Sequence, residues 1–155
     1  VVVLDSEIGS AMTINSIAFK PTSGNGVIFD QLTVYMGSAA GDVLGSNFME
    51  NYSGDRVTVY DHASASLTPS GGWVTIPLDT PYFFSGSGNL IIELEWPNGD
   101  LEIYSGHWAT TGARILTSYY GSPTGDPFEF CPNLLLSGTL DLAPMTFGSI
   151  KASFL

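Results

Sequence analysis

Two glutamates stand two residues apart in Leu90-Ile91-Ile92-Glu93-Leu94-Glu95-Trp96. In an extended strand that spacing puts both carboxylates on one face, as in a retaining glycosidase, whose acid and nucleophile lie about 5 Å apart. The simpler reading of the same pair is solvated charge on a sheet edge or a binding face. Aromatic side chains offer a second chemistry, stacking against sugar rings, through Trp73, Trp96, Trp108, Tyr104, Tyr119 and Tyr120. With 12% aromatic residues, several of these must be buried simply to fill a core. Trp108, in Gly106-His107-Trp108, is expected in an exposed loop, and Trp108, Tyr104 and Tyr119 are the candidate glycan contacts.

Nucleophilic chemistry has less support. His62 follows Asp61 and His107 precedes Trp108, with neither a Gly-x-Ser-x-Gly elbow nor a cysteine-nucleophile signature beside them, so both are expected on the surface or in loops. Cys131 is alone, which excludes an intrachain disulfide and predicts a small buried hydrophobe. No His/Cys pairs stand at transition-metal spacing. Calcium is the one ion that the turn-forming Asn98-Gly99-Asp100, Asp79 and Asp126 leave open, but without EF-hand spacing these read as turn residues, and no cofactor is expected. Asn51-Tyr52-Ser53 is a glycosylation sequon in an expected loop, with Asn51 the acceptor.

The elements that must position these groups are strands. A chain of 155 residues with 44% hydrophobic content suits one domain spanning 1–155. Its net charge of -11 comes from 15 acidic and 4 basic residues, so nucleic acid is excluded as a partner and no polybasic anchor for lipid exists. No apolar run approaches the roughly 20 residues that cross a bilayer as a helix, so membrane insertion is not expected. The chain opens on Val1-Val2-Val3-Leu4 without Met, consistent with removal of a secretory leader or with a trimmed sequence. Ser/Thr/Gly-rich turns and scarce Lys fit an extracellular location.

Period-two patterning predicts a strand over Met12 to Lys20, whose apolar phase shifts from Met12 and Ile14 to Ile17 and Phe19, implying a bulge near Asn15-Ser16. Val27 to Met36 is predicted as one strand with Leu32, Val34 and Met36 inward, and Gly37 to Gly54 as a long connection whose Phe48, Met49 and Tyr52 cover one end of the fold. Arg56 to Tyr60 is a short strand with Val57 and Val59 on one face. Trp73 to Ile76 and Leu90 to Trp96 flank a turn-rich stretch in which Pro77 and Pro81 prevent a continuous ladder between the two strands. Leu90, Ile92, Leu94 and Trp96 face a core, leaving Glu93 and Glu95 on a largely wet face. Pro97 to Asp100 turns into Leu101 to Tyr104; Ala113 to Tyr120 alternates with either face buried; Gly121 to Pro132 is a loop. The last strands are Asn133 to Leu140 and Thr146 to Leu155, the latter with Ile150, Ala152 and Phe154 inward and Lys151 and Ser153 outward. No segment has a helical period. The predicted fold is an all-β antiparallel β-sandwich, jelly-roll-like, of about eight to ten strands.

Trp73, Leu78-Asp79-Thr80-Pro81-Tyr82 and Gly86-Ser87-Gly88-Asn89-Leu90 resemble the tryptophan strand, Leu-Asp-Thr-Pro-aromatic turn and Gly-x-x-Asn-Leu opening of β-sandwich modules in secreted bacterial cell-surface proteins. Leu32 to Gly37 is similar to an earlier strand of those modules, and Phe147 to Ala152 to the ending of short secreted proteins of this kind. Glu93-Leu94-Glu95-Trp96 also resembles laminarinase-type strands, but the position of their further catalytic carboxylate is Asn98 here. The modules usually sit beside other domains; a lone module implies a subunit of something larger.

The apolar ends of this sequence suit terminal strands, over 1–8 and 146–155, that pair across a subunit boundary. The expectation is therefore a non-enzymatic secreted structural or adhesive subunit that self-associates into an extracellular filament or sheath through Val1, Val2, Val3, Leu4, Ile150, Phe154 and Leu155. Its partners would be other copies of itself, with surface glycans a second class. The alternative is a monomeric carbohydrate-binding or accessory adhesin module.

Overall fold

The computed structural model describes residues 1–22, 26–97 and 106–141. In chain order these form β1 (Val2–Val3), the helical turn α1 (Asp5–Ile8), β2 (Met12–Phe19), β3 (Val27–Phe29), β4 (Leu32–Ser38), a 3-10 turn (Met49–Asn51), β5 (Val57–His62) and β6 (Ala65–Leu67). They continue with β7 (Val74–Phe84), β8 (Leu90–Glu95), β9 (His107–Ala109), β10 (Ile115–Thr117), β11 (Asp126–Phe128), β12 (Phe130–Pro132) and β13 (Leu134–Leu140). The fold is all-β, and every paired strand is antiparallel.

Two sheets share the main core. One runs β1-β8-β4-β5 and the other β13-β2-β7. Leu32, Val34 and Met36 of β4, Leu90 and Ile92 of β8, Ile14 and Ile17 of β2 and Ile76 of β7 are all buried in one cluster drawn from both sheets. Leu94 and Trp96 pack on that cluster from the same face of their strand, and Trp96 meets Phe29 edge-on at 5.7 Å. The strands β3-β6, β9-β12 and β10-β11 pair as smaller two-stranded ladders around it.

The phase shift in β2 is a bulge at Asn15. Against β13 the register passes from Ser137↔Ser16 to Gly138↔Ile14, and against β7 it also shifts between Ile14 and Ser16. One additional residue thus resets the inward row on both sides of the strand. Gly138 is required opposite it, because a Cβ there would stand 1.9 Å from the Thr13 carbonyl oxygen.

Several sequence expectations change. Val27 to Met36 is two strands, split by a bend at Asp30-Gln31, so that β3 pairs with β6 while β4 joins β8 and β5. The strand begun at Trp73-Ile76 continues to Phe84 as β7, and β7 and β8 belong to different sheets. Against β2, Ser16 faces Pro77 and Ile14 faces Tyr82, which leaves 78–81 without partners in β2. Leu78-Asp79-Thr80-Pro81 is therefore an outward-bowed strand segment, not a turn. Within β5, a bulge at Val59 separates Val57, which is exposed, from Val59, which is buried. Gly121 to Pro132 contains β11 and β12, whose ladders with β10 and β9 override its proline punctuation. The hairpin expected over Asn98 to Tyr104 and the strand over Thr146 to Leu155 lie outside the described residues.

Gly138→Ala should lower stability by roughly 1–3 kcal/mol, the usual cost of forcing atoms into a filled site. Ser137→Ala should change it by less than about 0.5 kcal/mol. Chemical denaturation checks both, and equal midpoints for the two variants would remove the steric role given to Gly138.

Candidate functional site

The outer face of the four-stranded sheet carries the glutamate pair, but not as solvated charge. β8 is an interior strand, between β1 and β4. Arg56 grips Glu93 with two parallel bonds, Nε to Oε2 at 3.0 Å and a terminal nitrogen to Oε1 at 2.7 Å. The Tyr52 hydroxyl donates to Glu93 Oε2 at 2.8 Å, and the Tyr35 hydroxyl donates to Glu95 Oε2 at 3.1 Å. The Arg56 guanidinium also lies 3.4 Å from the centroid of the Tyr35 ring, a cation–π contact. Burial, reinforced by the Glu93 carboxylate, pushes the Tyr52 phenol far above its ordinary range. Burial would lower the Arg56 pKa, but its bonds to Glu93 outweigh that and raise it. Glu93 is thus a clamped anchor with three donors on it, rather than a carboxylate presented to a substrate.

The clamp fastens the connection between β4 and β5 to the sheet. Tyr52 lies against Gly37, where a Cβ would be 2.7 Å from the ring. With Val2, Leu44 and Ile91 it forms a second small core, so this half of the outer face is dry. The connection covers a sheet face, not one end of the fold, and Met49 stays exposed. Asn51 holds the loop from inside: its Oδ1 accepts from the Gly45 N–H at 2.7 Å, and its Nδ2 donates to Asn47 O at 2.7 Å and Gly45 O at 3.1 Å. Asn51 is buried, and a glycan on Nδ2 would have to replace these bonds.

At the other end of the face, the Thr33 hydroxyl donates to Asp61 Oδ1 at 3.1 Å. Asp79, in the bowed part of β7, accepts the Asp61 N–H at 3.1 Å and stands 3.0 Å from His62 Nε2. Asp79 therefore joins β7 to β5 instead of sitting in a calcium-binding turn. The His62 contact, then the Asp61 N–H, hold its carboxyl below the usual range. Asp126 is likewise in a strand, β11; Asn98 and Asp100 lie outside the described residues. Among the described residues no cluster of His, Cys, Asp and Glu could hold a metal ion.

The aromatic candidates are not brought together. Trp108 is opposite Cys131 and 44% exposed, on a strand rather than in a loop. Tyr119 is 93% exposed and follows Thr117, which faces Asp126. Trp108 thus sits on the β9-β12 ladder and Tyr119 beyond the β10-β11 ladder, with no ring contact between them. Tyr104 is outside the described residues. Nearer Trp108, His107 and Phe130 lie 4.6 Å apart, and Phe130 and Phe128 5.5 Å.

Of the assembly candidates, Val1 to Leu4 are satisfied by their own chain. Val1 exchanges both backbone bonds with Ile92, at 2.7 and 2.9 Å, and β1 pairs Val2 with Ile91 and Val3 with Leu90. The expected strand over 1–8 stops at Val3, because the Glu7 carboxylate accepts the Leu4 N–H at 2.9 Å and turns the chain into α1. Arg114, missed in the sequence, seals the remaining edge of β1. Its carbonyl accepts the Val2 N–H at 2.9 Å and its Nε donates to the Val2 carbonyl at 2.8 Å, with Glu7 as counter-ion. The available signal was scarcity: one of four basic residues, set before an apolar strand. Cys131 is buried as expected, and burial pushes its thiol up, keeping it protonated and inert. Ile150, Phe154 and Leu155 lie outside the described residues.

The sheet edges then differ sharply. β1 is capped by Arg114, and β5 and β7 meet through the Asp61–Asp79 bond. β13 pairs only with β2, and no other strand among the described residues lies along its outer edge. This seven-residue edge, Leu134-Leu135-Leu136-Ser137-Gly138-Thr139-Leu140, has no charge and no proline, the usual guards of a sheet edge. Leu135 and Leu140 are 45% and 54% exposed. Comparison with family models, curated proteins and solved structures finds no match.

Two outcomes are expected. In a double-mutant cycle of Arg56→Ala and Glu93→Gln, thermal unfolding should show coupling of about 1–3 kcal/mol, the penalty of leaving one partner of a largely buried charged pair alone; additive effects would mean the clamp does not bind the loop to the sheet. A depressed Asp79 pKa contributes stability above the unfolded value near 3.8, and that contribution disappears as pH falls through the lower folded value. Carboxyl NMR of His62→Ala should move the Asp79 midpoint upward toward 3.8, and an unmoved midpoint would contradict the assigned cause.

Proposed function

We propose that this protein is an extracellular structural or adhesive subunit that self-associates through β-strands, building a filament or sheath. The observation that carries this reading is the β13 edge. A long, uncharged edge with exposed leucines is a template for further strands, and here it occurs on a molecule whose other principal edges are capped or joined. The charged fraction of only 12% also suits a surface covered by neighbouring copies. The extracellular assignment is supported by the Ser/Thr/Gly-rich turns and by the resemblance of the Trp73 to Leu90 motifs to secreted surface modules. Val1 to Leu4, satisfied within the chain, do not supply the contact. No helix among the described residues is long and apolar enough to cross a membrane.

Light scattering and negative-stain imaging over a concentration series test the proposal. The parent protein should form species above single-copy mass, and Leu135→Lys/Ser137→Lys, with an unchanged circular dichroism spectrum, should remain single copies. A parent protein that stays strictly monomeric at high concentration would remove this function.

A further inference from the structure

We propose that the turn Tyr119-Tyr120-Gly121-Ser122 is a contact site for neutral glycans, its two tyrosine rings stacking on the faces of sugars. This rests on the adhesive half of the reading above and names its ligand; it does not require self-association.

The turn is both outward and fixed. The Ser122 N–H donates to the Tyr119 carbonyl at 3.1 Å. Gly121 takes φ +77°, the positive value that a type II turn requires at its third position. Tyr119 is 93% exposed and Tyr120 56%, so two large rings stand in water between β10 and β11. Such tips are ordinarily the mobile parts of a fold; this one is braced. The Phe48 N–H donates to the Pro123 carbonyl at 3.1 Å, Asn47 pairs with Thr124, and the Gly125 N–H donates to the Ser46 carbonyl at 2.8 Å. At the neck, a Cβ on Gly125 would collide with the Thr117 carbonyl oxygen, so the two limbs of the loop touch. The bracing segment is itself held, by the Asn51 amide on Gly45 and Asn47 and by the Tyr52 hydroxyl on Glu93. The clamp on the sheet thus reaches, through the connection between β4 and β5, to the tyrosine turn. A backbone ordered in advance removes that ordering cost from binding, and rigid tyrosines among Ser and Gly are a recurrent way for loops to present contact area.

Charge and area select the ligand. Residues 117–125, Thr-Ser-Tyr-Tyr-Gly-Ser-Pro-Thr-Gly, carry no charge in a chain of net charge -11. An anionic polymer is repelled by the molecule as a whole, and a cationic one finds no carboxylate within this stretch to pair with. Two tyrosines bring roughly 300–500 Å² of contact between them, well short of the ~800 Å² per partner of a standard protein interface. A short run of sugar rings fits that area. Each pyranose offers an apolar face to a tyrosine ring, and its hydroxyls offer hydrogen bonds to the phenols and to the exposed Ser118.

The test applies the full chain to an array of neutral and acidic oligosaccharides, with titration calorimetry on those that bind. The parent protein should bind neutral members and none of the acidic ones. Tyr119→Ala/Tyr120→Ala, with an unchanged circular dichroism spectrum, should weaken that binding about tenfold or more, while Tyr119→Phe/Tyr120→Phe, which keeps both rings, should retain most of it. Binding lost in Trp108→Ala but unchanged in Tyr119→Ala/Tyr120→Ala would move the site to β9 and overturn the proposal. A parent that binds nothing on the array would overturn it as well, leaving a protein as the partner of the turn. The two readings fail separately. A strictly monomeric parent that binds sugar through the tyrosines would remove the filament and leave this site standing, and assembly without sugar binding would do the reverse.

Discussion

One inserted residue, Asn15, sets the geometry of the three-stranded sheet. Side chains alternate across a strand, so a single extra residue transfers every later side chain to the opposite face. In β2 that transfer turns Met12 and Ile14, then Ile17 and Phe19, toward the same core. Both neighbours must accommodate it. β13 does so with Gly138, which leaves room for the Thr13 carbonyl, and β7 bows away over 78–81. The bow carries Asp79 to β5 and joins the two sheets along one margin. Through this chain of adjustments, a local insertion is tied to the joined margin of the fold, while β13 bounds the other margin among the described residues.

The two unjoined boundaries are handled in opposite ways. At β1, a guanidinium is withdrawn from water to satisfy one strand, and the cost of burying it is offset by Glu7 and by the Val2 carbonyl. At β13 nothing comparable exists among the described residues; its side chains are leucine, serine and threonine. A uniform lack of protection would speak of a generally apolar surface. The proposed self-association rests on this contrast between a capped boundary and one that is bare among the described residues.

Legibility followed the range of the interactions involved. The inward rows of β4 and β8 and the bulge in β2 were readable because alternation is a property of neighbouring residues. Partner choice was not readable: Val27 to Phe29 leaves for β6, and the Pro-rich stretch around Asp126 to Pro132 becomes two strands, because distant segments supply their hydrogen bonds. Alternation also misjudged Glu93. It identified the face correctly, but the dry cover over that face comes from Tyr52 and Arg56, some forty residues earlier in the chain. Arg114 left no periodic trace at all, since it acts through its main chain and guanidinium at a single point. For the same reason the sequon at Asn51 said nothing about the loop folding around its amide.

Both arginines are engaged in ion pairs, one clamping Glu93 and the other sealing β1. The other two basic residues of the chain are lysines, against 15 acidic residues. With a net charge of -11, any two copies repel one another at long range. That barrier fades once the Debye length shrinks to about 8 Å at physiological ionic strength. The salinity of the surroundings therefore sets how far that repulsion reaches.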